Sequence, residues 1–302
     1  MLANLLDIQK NILDVKYGRV KEGLKINIPE FDEHIRFKPA NFNVIIGHAN
    51  VGKTTVILYL MTMYTIKHNI KWLIFSSENT STSVARKILE FARNKAIQQM
   101  TDDEIEFGLN WVLQHFKIID VDKLYTYKDL LKEAKEIHNE WHYDALLIDP
   151  YNSLAKDRDL MKNVGSHEYD YQVSSEMRLF CKENQISIWL NTHAVTEALR
   201  RTHPKEHEYN GLPVPPNMAD VEGGGKWGNR ADDVFTIHRY TQHPTDWMIS
   251  EVHVRKVKEV ETGGRPTSID APIKLRMMPN NIGFTYAGVN LLQAKNIKGL
   301  DF

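Results

Sequence analysis

The chain has 302 residues, ordinary apolar content (42%) and a formal net charge of -1. Such a length buries a large core, and one α/β domain with an appendage fits it better than two equal domains. The near-neutral balance excludes a globally basic protein, so any nucleic-acid site must be a local patch.

Leu2, Leu5, Leu6, Gln9, Ile12 and Leu13 recur near helical spacing. They predict an amphipathic arm over residues 1–16 that ends at Tyr17 and Gly18, within an arm or linker segment 1–22 ahead of a single domain over 23–302. Such an arm either folds back on its own domain or docks on a neighbour. Asp7, Lys10 and Asp14 make it unlike a secretory leader, and no apolar run approaches 18 residues. The one cysteine, Cys181, cannot close an internal disulfide. A soluble, cytoplasmic protein with no membrane partner is expected.

Residues 23–41 are a proline-punctuated lead-in to an apolar run, and residues 43–55 then read N-V-I-I-G-H-A-N-V-G-K-T-T. Gly47, Gly52, Lys53 and Thr54 fill every fixed place of G-x-x-x-x-G-K-[ST]. That pattern curls the backbone N–H groups of His48, Ala49, Asn50 and Val51 around a β-phosphate. Lys53 reaches the β/γ oxygens, Thr54 ligates Mg²⁺, and a helix over 54–67, which includes Thr55, points its positive end at the phosphates. A merely Gly-rich turn is the competing reading, but a strand before and a helix after are what the motif requires.

A strand over 71–76, helices over 80–95 and 101–115, a strand over 117–121, a helix over 127–141 and an unalternating strand over 145–149 follow. Thr101 with Glu104 is a capping box. Val173, Met177, Phe180 and Cys181 mark a helix and 186–191 another buried strand. This is the βαβα pattern of a mostly parallel sheet flanked by helices. After Gly225 the pattern shows no helix, only strands over 234–238, 247–256, 273–277 and 283–286, which predict an antiparallel extension. Residues 152–165 and 200–225 are the least regular, and loops that long are usually functional or disordered.

Asp149 closes A-L-L-I-D at the carboxyl end of a buried strand, where such sheets bind ligands, and is the natural Mg²⁺-side carboxylate. Asp144 begins the same strand and belongs to the opposite edge. Glu78 ends W-L-I-F-S-S-E on a strand expected to neighbour the phosphate-loop strand, so its carboxylate can accept a proton from attacking water. A surface glutamate at a helix N-terminus explains that position equally well. His193 follows W-L-N-T and either hydrogen-bonds a γ-phosphate or caps its strand.

The order phosphate loop, F-S-S-E-N, A-L-L-I-D-P, W-L-N-T-H and G-G-G-K-W-G-N-R-A-D-D-V-F-T-I-H-R resembles the RecA-like ATPase motor of DnaB-like replicative DNA helicases, including the phage helicase-primases. The resemblance implies ATP and Mg²⁺ as ligands, Glu78 as catalytic base, Asp149 beside the metal and His193 as γ-phosphate sensor. Arg239 matches an arginine after the following strand. The family's K-x-R basic pair before T-G corresponds to Lys256 and Lys258, with lysine in place of the usual arginine; Arg255 is an alternative finger, but it alternates onto the other strand face from Lys256. An ammonium cannot make the planar bidentate contact of guanidinium.

The resemblance further implies a homo-oligomeric ring, expected to be a hexamer, in which a neighbour's basic finger completes each ATP site. Loops in the channel would hold single-stranded DNA, and here Lys156, Arg158, Lys162, Arg200, Arg201 and Lys205 occupy them. With only a short arm ahead of Gly23, a stripped motor is expected, or one whose primase or loader is a separate chain. A RecA-type recombinase, suggested by Gly223–Gly225, and a KaiC-like regulatory ATPase that ignores DNA share the same ATP chemistry. His203 and His207 lack a second ligand pair for a metal site.

Overall fold

A computed structural model of the protein describes residues 4–292; Met1 and Leu2 of the arm and residues 293–302 lie outside them. The parallel strands are β1 (Phe42–Gly47), β2 (Trp72–Ser76), β3 (Phe116–Ile119), β4 (Ala145–Asp149), β5 (Ser187–His193) and β6 (Asp233–His238). Four antiparallel strands extend the sheet: β7 (Ile249–Val257), β8 (Ile273–Met277), β9 (Phe284–Tyr286) and β10 (Val289–Asn290). The helices are α1 (Leu5–Lys16), α2 (Pro29–Asp32), α3 (Lys53–His68), α4 (Ser81–Arg93), α5 (Asp102–His115), α6 (Tyr127–Glu140), α7 (Arg158–Asn184) and α8 (Lys226–Arg230). One sheet runs β10-β9-β8-β7-β6-β1-β5-β4-β2-β3. This is the RecA-like plan read from the sequence, antiparallel extension included.

The central runs do not alternate because both faces are covered. Along β1, Ile45 joins the core built with α3, α4 and α5, while Phe42, Val44 and Ile46 join the core on the other face with α6 and α7. The apolar length of α3, from Val56 to Met61, is buried throughout, as a helix apolar on all sides must be. The Thr101–Glu104 capping box forms, and Thr126 with Asp129 makes a second that the sequence reading overlooked.

Three expectations need correction. First, β2 does not neighbour β1: β5 and β4 lie between them. Strand order is set by how crossovers pack, which no local pattern encodes. Second, residues 152–165 are not one loop. Asp157 caps α7 by accepting the N–H groups of Asp159 and Leu160, and helical backbone is interrupted at Gly165, whose φ of 70° suits glycine alone. Third, a helix does follow Gly225: α8 has five residues, too few to show a period, and is anchored by the buried Trp227.

Among the described residues of α1 none is buried, and Leu5, Leu6, Ile8, Ile12 and Val15 are exposed. At the edge of the sheet where β1 begins, Lys38 is buried against Asp233 at 2.7 Å, and Asn41 donates to the same carboxylate. Removing one member of a buried pair strands the other's charge. Lys38→Met is therefore expected to destabilise the fold by about 3–5 kcal/mol, whereas Lys38→Met with Asp233→Asn recovers most of that loss. Urea unfolding of the two variants checks this.

Candidate nucleotide site

The phosphate loop turns between β1 and α3 under tight steric limits. A Cβ on Gly47 would sit 2.5 Å from the Ile237 carbonyl oxygen and 2.8 Å from Lys53 Cδ, so only glycine fits. Gly52, at φ 86°, precedes α3 with no side-chain cap, which leaves the first N–H groups of that helix to meet an anion. Asn50 also adopts positive φ, and its carbonyl accepts a hydrogen bond from Arg239 Nη2 at 3.2 Å. Arg239 thus lies against the outer turn of the loop. The Thr55 hydroxyl faces away, accepting from Lys87 at 3.3 Å.

Lys53 is buried, and its ammonium donates to the loop's own carbonyls at Gly47 (3.1 Å) and His48 (2.8 Å). Burial pushes its pKa down to about 8 against the opposing pull of Asp149 and Glu78. His48, walled in beside His238, is likewise lowered, first by burial and then by the charge of Lys53. Thr54 Oγ1 donates to Asp149 Oδ2 at 2.8 Å, and Asn191 Nδ2 donates to the other carboxylate oxygen. Asp149 is fully buried, which raises its pKa despite those two donors. A hydroxyl beside a carboxylate at the sheet's carboxyl edge is the hard-oxygen set that Mg²⁺ prefers, so the residues fit the ion.

His193 gathers the reactive groups. Its Nδ1 lies 3.4 Å from Lys53 Nζ and its Nε2 lies 3.4 Å from Glu78 Oε1. Glu78 reaches this point although β2 is two strands removed from β1, because it extends past the strand end and is half exposed. Asp144 sits at the opposite edge, accepting the Lys71 N–H. Asn191, which the sequence reading used only as a strand end, positions Asp149. A polar residue inside the buried run W-L-N-T demands a partner, and that was the available signal.

The remaining sites lie apart. Lys256 Nζ donates to the carbonyls of Gly228 (2.9 Å) and Ala231 (2.7 Å) at the end of α8, while Lys258 pairs with Asp232 at 3.2 Å. Both lie where β7 pairs with the start of β6, the edge opposite the phosphate loop. A bulge at Arg255 turns its guanidinium instead to Thr236 and Pro216. Lys156 is exposed in the first loop; Arg158 and Lys162 lie on α7, Lys162 beside Asp159. Arg200 and Lys205 are exposed, and Arg201 pairs with Asp220. His203 stacks on His207 at 3.9 Å and meets the Tyr240 hydroxyl at 2.9 Å.

Fold and loop together define a P-loop nucleotide-binding protein of RecA-like architecture. Residues 23–270 match the model of the DnaB-like helicase C terminal domain, and the chain belongs to that family. A curated relative, the chloroplastic/mitochondrial Twinkle homolog protein of Arabidopsis thaliana, is 25% identical over 272 residues. The match covers 83% of this chain but 36% of that protein's length. Two solved structures share the fold at low identity. One, an ATPase domain, has a TM-score of 0.72 at 12% identity, covering 95% of this chain and 99% of its own. A DnaB-like replicative helicase, determined with its interactions with primase, has a TM-score of 0.69 at 13% identity, covering 94% and 67%. Among the described residues no helix is long and apolar enough to cross a membrane.

Lys53→Ala is expected to abolish MgATP binding, measured by calorimetry. Glu78→Gln is expected to keep that binding while turnover falls about 10²–10⁴-fold; near-normal turnover removes Glu78 as the base. A pH dependence follows from Lys53. Its ammonium is lost as pH rises through about 8 in the free protein, and phosphate needs it charged. ATP affinity should therefore be flat below that pH and weaken above it, and a dissociation constant unchanged to about pH 9.5 would show that the lysine stays protonated.

Proposed function

We propose that this chain is the motor of an ATP-dependent replicative DNA helicase, a ring that moves along single-stranded DNA by hydrolysing ATP between subunits. The observation that carries the reading is the meeting of Lys53 and Glu78 at His193, beside the buried Thr54–Asp149 pair. Lys53 and the start of α3 bind the phosphates, and residues 47–55 wrap them. Thr54, and Asp149 through water, would hold Mg²⁺, which when bound would supply positive charge to the phosphates. Glu78 orients water and takes its proton as the oxygen bonds to the γ-phosphorus and the bond to the bridging oxygen breaks. His193 reads the γ-phosphate, and Arg239 steadies the loop.

For the charge that develops on the transferred phosphoryl group, a neighbour's Lys258 is proposed to supply a basic group from across the subunit boundary. Lys258 is the freer of the pair, 41% exposed and held by one carboxylate, while Lys256 is spent on helix carbonyls. Arg255 has its guanidinium turned inward. For assembly, the exposed stripe of α1 fits a groove of about 780 Å³ on a second copy, lined by Ala85, Leu89, Ile105, Leu109 and Leu113. The domain division at residue 22 rests on the same separation of arm from body. Lys156, Arg158, Lys162, Arg200, Arg201 and Lys205 would line the channel, with a primase or loader acting from a separate chain and the host cytoplasm as the working compartment.

Electron microscopy with an ATP analogue and single-stranded DNA tests the reading. A closed ring, expected to be hexameric, around one strand supports it, and deletion of residues 1–16 should open it; an open filament points to a recombinase, and indifference to DNA to a regulatory ATPase. Lys258→Ala should bind ATP yet lose most hydrolysis, and rings mixed with Glu78→Gln subunits should regain part of it. Full activity in Lys258→Ala removes the finger.

A further inference from the structure

Asn152 stands at the root of the first candidate DNA loop, and the reaction scheme gives it no part. Its Oδ1 accepts the His193 backbone N–H at 3.0 Å and the Thr192 hydroxyl at 3.1 Å. Its Nδ2 donates to Glu222 Oε2 at 2.5 Å. Glu222 closes the second loop, and its own N–H donates to the His193 carbonyl at 3.1 Å. A bridge between Ala194 and Val221 continues the tie.

The peptide groups on both sides of His193 are thus held by the two loops, the N–H by the root of the first and the C=O by the end of the second. Its imidazole meanwhile faces Lys53 and Glu78. A shift of the His193 backbone that carries the imidazole toward or away from a phosphate carries or breaks those bonds. Only one orientation of the amide serves, since two donors converge on Oδ1 and a carboxylate faces Nδ2. An aspartate keeps the first pair of bonds and sets two carboxylates against each other at the second.

We propose that Asn152, through Glu222, is the positioning residue that couples the nucleotide state read at His193 to the grip of both loops on single-stranded DNA. The inference rests on the motor reading above. Its measure is the ratio of DNA-stimulated to DNA-free ATP turnover, with thermal midpoints reporting folding.

Asn152→Asp should lower that ratio about fivefold or more. Glu222→Lys, on an exposed side chain, should do the same by setting an ammonium against the amide donor. The double variant places a carboxylate opposite an ammonium and should restore at least half of the lost ratio, a non-additivity that local damage does not produce. The ratio of single-stranded DNA affinities with ATP analogue and with ADP should collapse and recover in parallel. An unchanged ratio in both single variants overturns the inference, as does a double variant no better than either. A wild-type protein that single-stranded DNA does not stimulate overturns the motor reading itself.

Discussion

A buried ammonium and a buried carboxylate at one edge of one sheet are what the rest of this structure is built to tolerate. Lys53 and Asp149 are both removed from water, and burial pulls their pKa values toward each other, down for the lysine and up for the aspartate. Each would be costly alone. The loop's carbonyls hold one, and Thr54 and Asn191 hold the other. Supplying those partners requires β1, β4 and β5 to end side by side, which the parallel order β1-β5-β4 provides. A site poised this way gains most when phosphate and a divalent cation arrive, because each satisfies a charge that the protein keeps only partly satisfied.

Much of this was legible in the residues. The phosphate loop, the unalternating strands and Asp149 at a strand end follow from local patterns whose physical cause is local: a turn needing glycine, a strand covered on two faces, a carboxylate after an apolar run. Glu78 illustrates the limit. Its strand was expected beside the phosphate loop, the strand order is otherwise, and it still reaches His193 because it lies beyond the strand end. The helix from Arg158 was missed because its cap, Asp157, precedes a polar turn broken soon afterwards at Gly165. The partners of Asn191 and Asn152 were invisible for a different reason: each lies on a distant segment, and a single sequence does not say which segments meet.

The basic residues at the opposite edge are held by partners within their own chain. Within this chain Lys256 satisfies the carbonyls that end α8, and Lys258 shares Asp232 with Arg178 of α7. Any contact that recruits Lys258 elsewhere must compete with that carboxylate, while Arg178 remains to balance the charge left behind. A lysine suits such an exchange, since a single flexible ammonium leaves one partner more easily than a forked guanidinium leaves two.

The same helix carries a mechanical consequence. Beyond its break at Gly165, α7 runs unbroken to Asn184, a rod of about 28 Å at 1.5 Å per residue. In its first turns the Tyr169 hydroxyl accepts the N–H of Asp157, next to Lys156, at 3.1 Å, and Arg178, further along, grips the counter-ion of Lys258. A tilt of only about 2° over that length moves one end by about 1 Å, as much as separates a held ion pair from a broken one. A displacement at the first end of this rod would therefore arrive at the far edge of the same subunit as a change in how firmly one lysine is held.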